Sequence, residues 1–227
     1  MRPLAVCKRR LAREVPDVTR GALVLLMLNR TVRAVTLALG QGACWVIGGD
    51  AMVRDVAERA GGTWLEDRAS DLNATVLDGV LRAHAEGARA AVFIPADVPM
   101  IAAEDILAII EASAGCTQPV GVEAAADGGT NALLVPAGLD LPPALGLSSY
   151  SRHRANAERA GATLVPAPAP GLFFDLDSPA DLAFARQHVP NFAVELAEWE
   201  ERVGRVLSDP ASQAGPKGPA LQGAAKS

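Results

Sequence analysis

Apolar positions along the chain fall into short buried-looking runs that alternate with longer stretches of helical period. "ACWVIG" (43–48) predicts a strand, and Asp50 is placed to cap a helix over "AMVRDVAERAG" (51–61). "TWLED" predicts a second short strand. "NATVLDGVLRAHAEG" (73–87) sets Val76, Val80 and Leu81 on one helical stripe and stops at Gly87. "AAVFIPAD" (90–97) is continuously apolar, as a strand with both sheet faces covered would be, and "AEDILAIIEAS" (103–113) predicts the helix after it. Strand–helix alternation of this kind predicts an α/β layered domain with a largely parallel sheet.

Beyond residue 115 the pattern changes. "PVGVEAA" and "NALLVPA" read as two strands joined by a turn at "DGGT", followed by a helix over "SYSRHRANAERAG" (149–161). A strand at "ATLVPA", a strand at "LFFDLD" and a helix at "SPADLAFARQH" (178–188) come next, and 192–207 has amphipathic helical period. The last twenty residues are rich in Pro, Gly, Ala and Ser, and are expected to be disordered. The expected organisation is one domain over 1–207 and a tail over 208–227.

Composition narrows the function. Half of the 227 residues are hydrophobic, enough for one sizeable core. A net charge of −5, with no Lys/Arg run beside aromatics, argues against nucleic-acid binding. The three cysteines have no metal-like spacing and read as thiols in a reducing compartment. The longest apolar run, "ALVLLML" (22–28), is interrupted by Asn29, Arg30 and Arg33 and is expected to be too short to span a bilayer. These features predict a cytoplasmic, soluble protein, and leave its oligomeric state open.

Several stretches carry candidate chemistry. In "FFDLDSP" (173–179), an extended backbone would put Asp175 and Asp177 on one face, roughly 7 Å apart, a spacing that repels unless a cation lies between them. The same residues also read as a strand leaving the core, with Asp177 or Ser178 capping a helix that opens on Pro179. "IPADVPMI" (94–101) puts Asp97 at the carboxyl end of a strand, where ligands bind in open α/β sheets, or simply in a polar turn. "DGGTNALLV" (127–135) is either a tight hairpin or a glycine loop whose amides, with Thr130 and Asn131, approach a ligand. "LGLSSYSRHRANAERAG" (145–161) sets Gly146, Ser148 and Ser149 before a helix whose first turns carry Arg152, His153 and Arg154. That arrangement suits a bound anion or a Ser-capped surface helix. The basic start, with Lys8 and Arg10 among five cations, suits a triphosphate or a solvated helix. Asn73 reads as a helix cap or as a base contact. No G-x-S-x-G and no G-x-G-x-x-G occurs, so hydrolase and dinucleotide readings fall away.

Taken in order, "LAVCKRRLA", "DLNATV", "PADVP", "GGTNALLV", "G-x-x-S-x-S-R-H" and "FDLDSPADL" resemble the phosphoenolpyruvate / 2-phospho-L-lactate guanylyltransferases of coenzyme F420 biosynthesis, from the first residues to about 188. The resemblance implies a single-domain, Rossmann-like nucleotidyltransferase fold with a mixed, mostly parallel central sheet. It implies GTP and a small phosphorylated three-carbon acid as substrates, and Mg²⁺ as cofactor. Carried over by motif, the metal and catalytic acids fall on Asp97, Asp175 and Asp177. The acid contacts fall on Thr130, Gly146 and Ser149, and the nucleotide contacts on Lys8, Arg10 and Asn73. Two departures stand out. The pattern expects an apolar strand ahead of "AVCKRRLA", so that first strand is expected to be missing, and Cys7 and Arg9 stand where it prefers Ala and Ser/Thr. The alternatives are a nucleotidyltransferase that uses CTP or a sugar phosphate, of the molybdenum-cofactor type, and a degenerate non-catalytic copy.

Overall fold

The computed structural model describes residues 8–208, with only the backbone of Arg9. The expected missing strand, Cys7 and the tail beyond Ser208 lie outside the described residues. Helix α1 (Asp17–Leu39) comes first. There follow β1 (Trp45–Ile47), α2 (Ala51–Arg59), β2 (Thr63–Leu65), α3 (Leu72–Ala85), β3 (Ala90–Phe93), α4 (Ala103–Ala112), β4 (Val120–Glu123), β5 (Thr130–Pro136), α5 (Ser149–Arg159), β6 (Val165–Pro166), α6 (Pro179–His188) and α7 (Phe192–Ser208). Asp50 caps α2 as expected, its Oδ1 accepting from Met52 N and Val53 N. Asp71, and not Asn73, caps α3, its Oδ1 accepting from Ala74 N at 3.1 Å.

The strands form two sheets. β1 and β2 pair in parallel, and the other four lie in the order β3-β5-β4-β6. β5 pairs antiparallel with both β3 and β4, while β4 and β6 are parallel. Three strands of this mixed sheet therefore run one way and β5 the other. The strand buried on both faces is β5, all seven of its residues being buried, because it lies between neighbours on either side. The apolar β3, expected in that role, ends the sheet and is half-buried.

Alternation along β5 divides the core. Ala132 and Leu134 pack with Ile106 and Ile109 of α4, whereas Leu133 and Val135 pack with Val76 and Val80 of α3. Helix α1 is 23 residues long and apolar enough to cross a membrane, so its apolar stretch is not the short run expected. Most of it is buried against α2, α4 and α7. Of the polar residues that break its pattern, Arg30 has partners: it donates to Glu195 Oε2 at 2.9 Å and to the carbonyls of Pro99 and Pro190.

The segment expected as the strand "LFFDLD" is irregular. Residues 170–172 make a 3-10 turn, and the next residues are fixed by single bonds. Asn131 Nδ2 donates to Leu172 O, Ala125 N to Phe173 O, and Leu176 N to Asp97 O at 2.9 Å. Gly171 lies so close to Asp105 and to the Met100 carbonyl that a Cβ would overlap both, which keeps this stretch out of a regular ladder.

Candidate active site

The reversal of β5 brings the site residues together. Asp97 follows the carboxyl end of β3, and Thr130, at the amino end of β5, pairs with Glu123 at the carboxyl end of β4. The β4–β5 turn, Asp127 to Gly129, therefore lies on the same rim. It is a hairpin, with Gly128 at φ 66 and Gly129 N donating to Asp127 Oδ1 at 2.8 Å. Its outer edge also anchors α5, through Ser148 N to Asp127 O and Tyr150 N to Gly128 O. Leu176, tied to Asp97 O, carries Asp175 and Asp177 to the rim.

A lysine joins the acids. Lys8 Nζ donates to Asp97 Oδ2 at 3.1 Å, to Asp177 Oδ1 at 2.8 Å and to the Leu176 carbonyl. Arg10 Nη1 reaches Asp177 Oδ2 at 3.2 Å. Lys8 sits at φ 50, a left-handed conformation that costs about 1–2 kcal/mol for an L-residue and that the three bonds hold in place. Burial opposes the ammonium charge, but Asp97 and Asp177 outweigh it and the Lys8 pKa is raised. Burial likewise raises the Asp175 carboxyl, and the neighbouring charges of Asp97, Asp177 and Asp127 push the same way. Asp181 completes the support. Its Oδ2 accepts from Asp177 N and Ser178 N while Ser178 caps α6, so the capping reading of "DLDSP" holds at Ser178, and the Asp177 carboxylate is left to pair with Lys8.

Among the described residues, no group of three or more His, Cys, Asp or Glu side chains is arranged to hold a metal ion. The Lys8 ammonium lies between Asp97 and Asp177 and pairs with both. By the chemistry of its atoms alone, the donor set would suit Mg²⁺. It offers hard carboxylate oxygens, one of them on an acid that its neighbours drive toward its neutral form, and a cation relieves that crowding.

Next to the acids lies a buried polar chain. Ser149 Oγ is 2.9 Å from Thr130 Oγ1, which is 2.9 Å from His153 Nδ1, and Ala144 N donates to His153 Nε2 at 2.8 Å. Gly146 follows at φ 122. Asn73 Oδ1 accepts from Leu145 N at 2.7 Å, so its carbonyl holds this loop and does not cap α3. Arg152 needs no bound anion to account for its place at a helix start, because its guanidinium donates to the carbonyls of Ala144 and Leu147. The structure thus brings Lys8, Arg10, Asp97, Thr130, Gly146, Ser149, Asp175 and Asp177 to one rim, with Asn73 behind the loop. Sequence reading named His153 at the start of α5 without giving it a role of its own, and passed over Asp127 and Asp181. Only the position of Asp181, three residues after Ser178, marked one of them in advance.

Burial, with Arg152 adding to it, pushes the His153 imidazole down to about 4 from an ordinary 6.5. The folded state keeps the ring neutral while the unfolded chain takes up a proton. The contribution is full above pH 6.5 and is lost as pH falls toward 4. Thermal unfolding at pH 7 and 4.5 is expected to show a loss on the order of 2–3 kcal/mol from this group. His153→Gln, which cannot titrate, removes that part of the difference, and an unchanged difference in the variant would refute the assignment.

The α/β fold and the match to known relatives together mark a protein of the nucleotidyltransferase class. The fold is similar to a solved nucleotide-diphospho-sugar transferase of Desulfovibrio desulfuricans G20, at a TM-score of 0.64 and 14% identity, over 88% of this chain and 91% of that one. The Guanylyl transferase CofC like family matches residues 1–182, and the chain belongs to that family. A phosphoenolpyruvate guanylyltransferase of Rubrobacter xylanophilus is 36% identical over 183 residues, 81% of this chain and 89% of its own. A 3-phospho-D-glycerate guanylyltransferase of Phenylobacterium zucineum is 34% identical over 209 residues, 89% of this chain and 90% of its own.

Proposed function

We propose that this enzyme joins GMP from GTP to the phosphate of phosphoenolpyruvate, releasing pyrophosphate, in the cytoplasm and as a step toward coenzyme F420. The observation that carries the reading is the convergence of Asp97, Asp175 and Asp177 beside a buried hydroxyl pair on one rim, in a chain of the guanylyl transferase family. A phosphate oxygen of the acid attacks the α-phosphorus of GTP. A new P–O bond forms, and the bond to the β-phosphate oxygen breaks as pyrophosphate leaves. The nucleophile is already an anion, so no general base is needed, and positioning and charge neutralisation do the work. Thr130, Ser149 and the backbone at Gly146 hold the acid. Lys8 and Arg10 meet the phosphates once these compete with the acids for them. Asp97, Asp175 and Asp177 would hold Mg²⁺, which when bound supplies charge neutralisation on the triphosphate.

A second acid has support. The 3-phospho-D-glycerate guanylyltransferase relative spans more of this chain than the phosphoenolpyruvate enzyme of Rubrobacter does. Pyrophosphate release should be measured with GTP or CTP against phosphoenolpyruvate, 2-phospho-L-lactate and 3-phospho-D-glycerate. The expected result is turnover with GTP and phosphoenolpyruvate. Turnover with CTP alone, or with no acid of the three, would sink the reading.

A further inference from the structure

The buried chain from Ala144 to Ser149 has a direction, and one backbone amide sets it. An amide N–H only donates, so His153 Nε2, 2.8 Å from Ala144 N, presents its lone pair. His153 is fully buried, and a second ring proton on Nε2 would face that N–H. The single ring proton is therefore on Nδ1 and is donated to Thr130 Oγ1. Thr130 and Ser149 carry two hydroxyl hydrogens between them. One is used within the pair across 2.9 Å, and the other has no acceptor among the described residues. With the opposite tautomer, Nδ1 would take the Thr130 hydrogen and Thr130 would take that of Ser149, leaving nothing to donate. The Ala144 N–H that makes this choice sits on the Pro143–Ala144 peptide, and the next peptide is held by Asn73 Oδ1 on Leu145 N and by Arg152 on Ala144 O.

Resting on the reading of Thr130 and Ser149 as contacts to the phosphorylated acid, we propose that His153 is a positioning residue that keeps one hydroxyl proton of this pair pointed at an anionic oxygen of that substrate. A carboxylate or phosphate oxygen only accepts, so a pair with a spare proton binds it and a pair without one repels it. His153 does not touch the acid. It acts through the hydroxyls, and the Ala144 amide acts through His153.

Two substitutions separate the ring nitrogens. His153→Gln puts an acceptor near the Nε2 position and nothing at Nδ1, whereas His153→Asn puts a donor near Nδ1 and nothing at Nε2. Initial rates with GTP and phosphoenolpyruvate should show the KM for phosphoenolpyruvate raised about tenfold in His153→Gln and moved no more than about threefold in His153→Asn. The KM for GTP should stay put in both. Equal shifts in the two variants, or parallel shifts for both substrates, would mean a merely structural histidine and overturn the proposal. Nitrogen-15 imidazole correlations on the wild-type protein need no variant to fold. They should show Nδ1 protonated and Nε2 bare, and the reverse overturns the proposal. A wild type silent with every acid brings down the functional reading and this proposal with it. An active wild type with equivalent variants brings down this proposal alone.

Discussion

Asp177→Asn is expected to leave a folded protein whose pyrophosphate release from GTP and phosphoenolpyruvate falls about 10²–10³-fold. The exchange keeps the shape of the side chain and removes its charge. Its carboxylate is 38% exposed and holds up no apolar packing, so folding should survive. The Asp177 backbone N–H stays on Asp181 and the Ser178 cap is untouched, so α6 keeps its start. In the proposed mechanism, what is lost is one of the three charges that would hold Mg²⁺, in a reaction that depends on neutralising phosphate oxygens. Steady-state rates across a Mg²⁺ titration test this. Near-wild-type turnover by a folded Asp177→Asn protein would remove the three acids from the mechanism.

Lys8→Met should be the second large change, and it has two signs. Without the ammonium, Asp97 and Asp177 face each other and Asp175, and among the described residues the exposed Arg10 is the cation that remains paired to them. Removing one partner of a buried pair leaves uncompensated charge. Lys8 is 9% exposed, but its partners are 32% and 38% exposed, so water screens part of the cost. A loss of about 1–3 kcal/mol in chelator is expected, with at least about a 10²-fold drop in turnover. Added Mg²⁺ should restore more melting temperature to the variant than it adds to the wild type, because it replaces a missing charge. Equal melting temperatures in chelator and equal responses to Mg²⁺ would show that Lys8 does not act as the resident cation of the acids.

Much of this arrangement was legible in the sequence, because local rules govern it. The strand–helix alternation from β1 to α4, the Asp50 cap and the β4–β5 hairpin all follow from periodicity and turn chemistry. The acids were found by their position after apolar runs. What stayed hidden depends on partners distant in the chain. Arg30 breaks the apolar pattern of α1 yet joins that helix to α7 through Glu195. Four alternating residues around Asp175 read as a strand, although only Leu176 N reaches across to Asp97. Arg152 at a helix start implies an anion by charge alone, and loop carbonyls serve instead. His153 shows itself only when Thr130, 23 residues earlier, and Ala144, nine earlier, close around it.

Helix α1 belongs to two of the apolar clusters, its amino-terminal half packing with α2, α6 and α7 and its Ala34 and Val35 with α4, β4 and β5. Helix α1 thus covers Val46 of the small sheet and one face of the large one, whose other face packs separately through Leu133 and Val135 on α3. Loosening this one rod would open one face of each sheet at once, which links their stability to a segment remote in sequence from most of the candidate site residues.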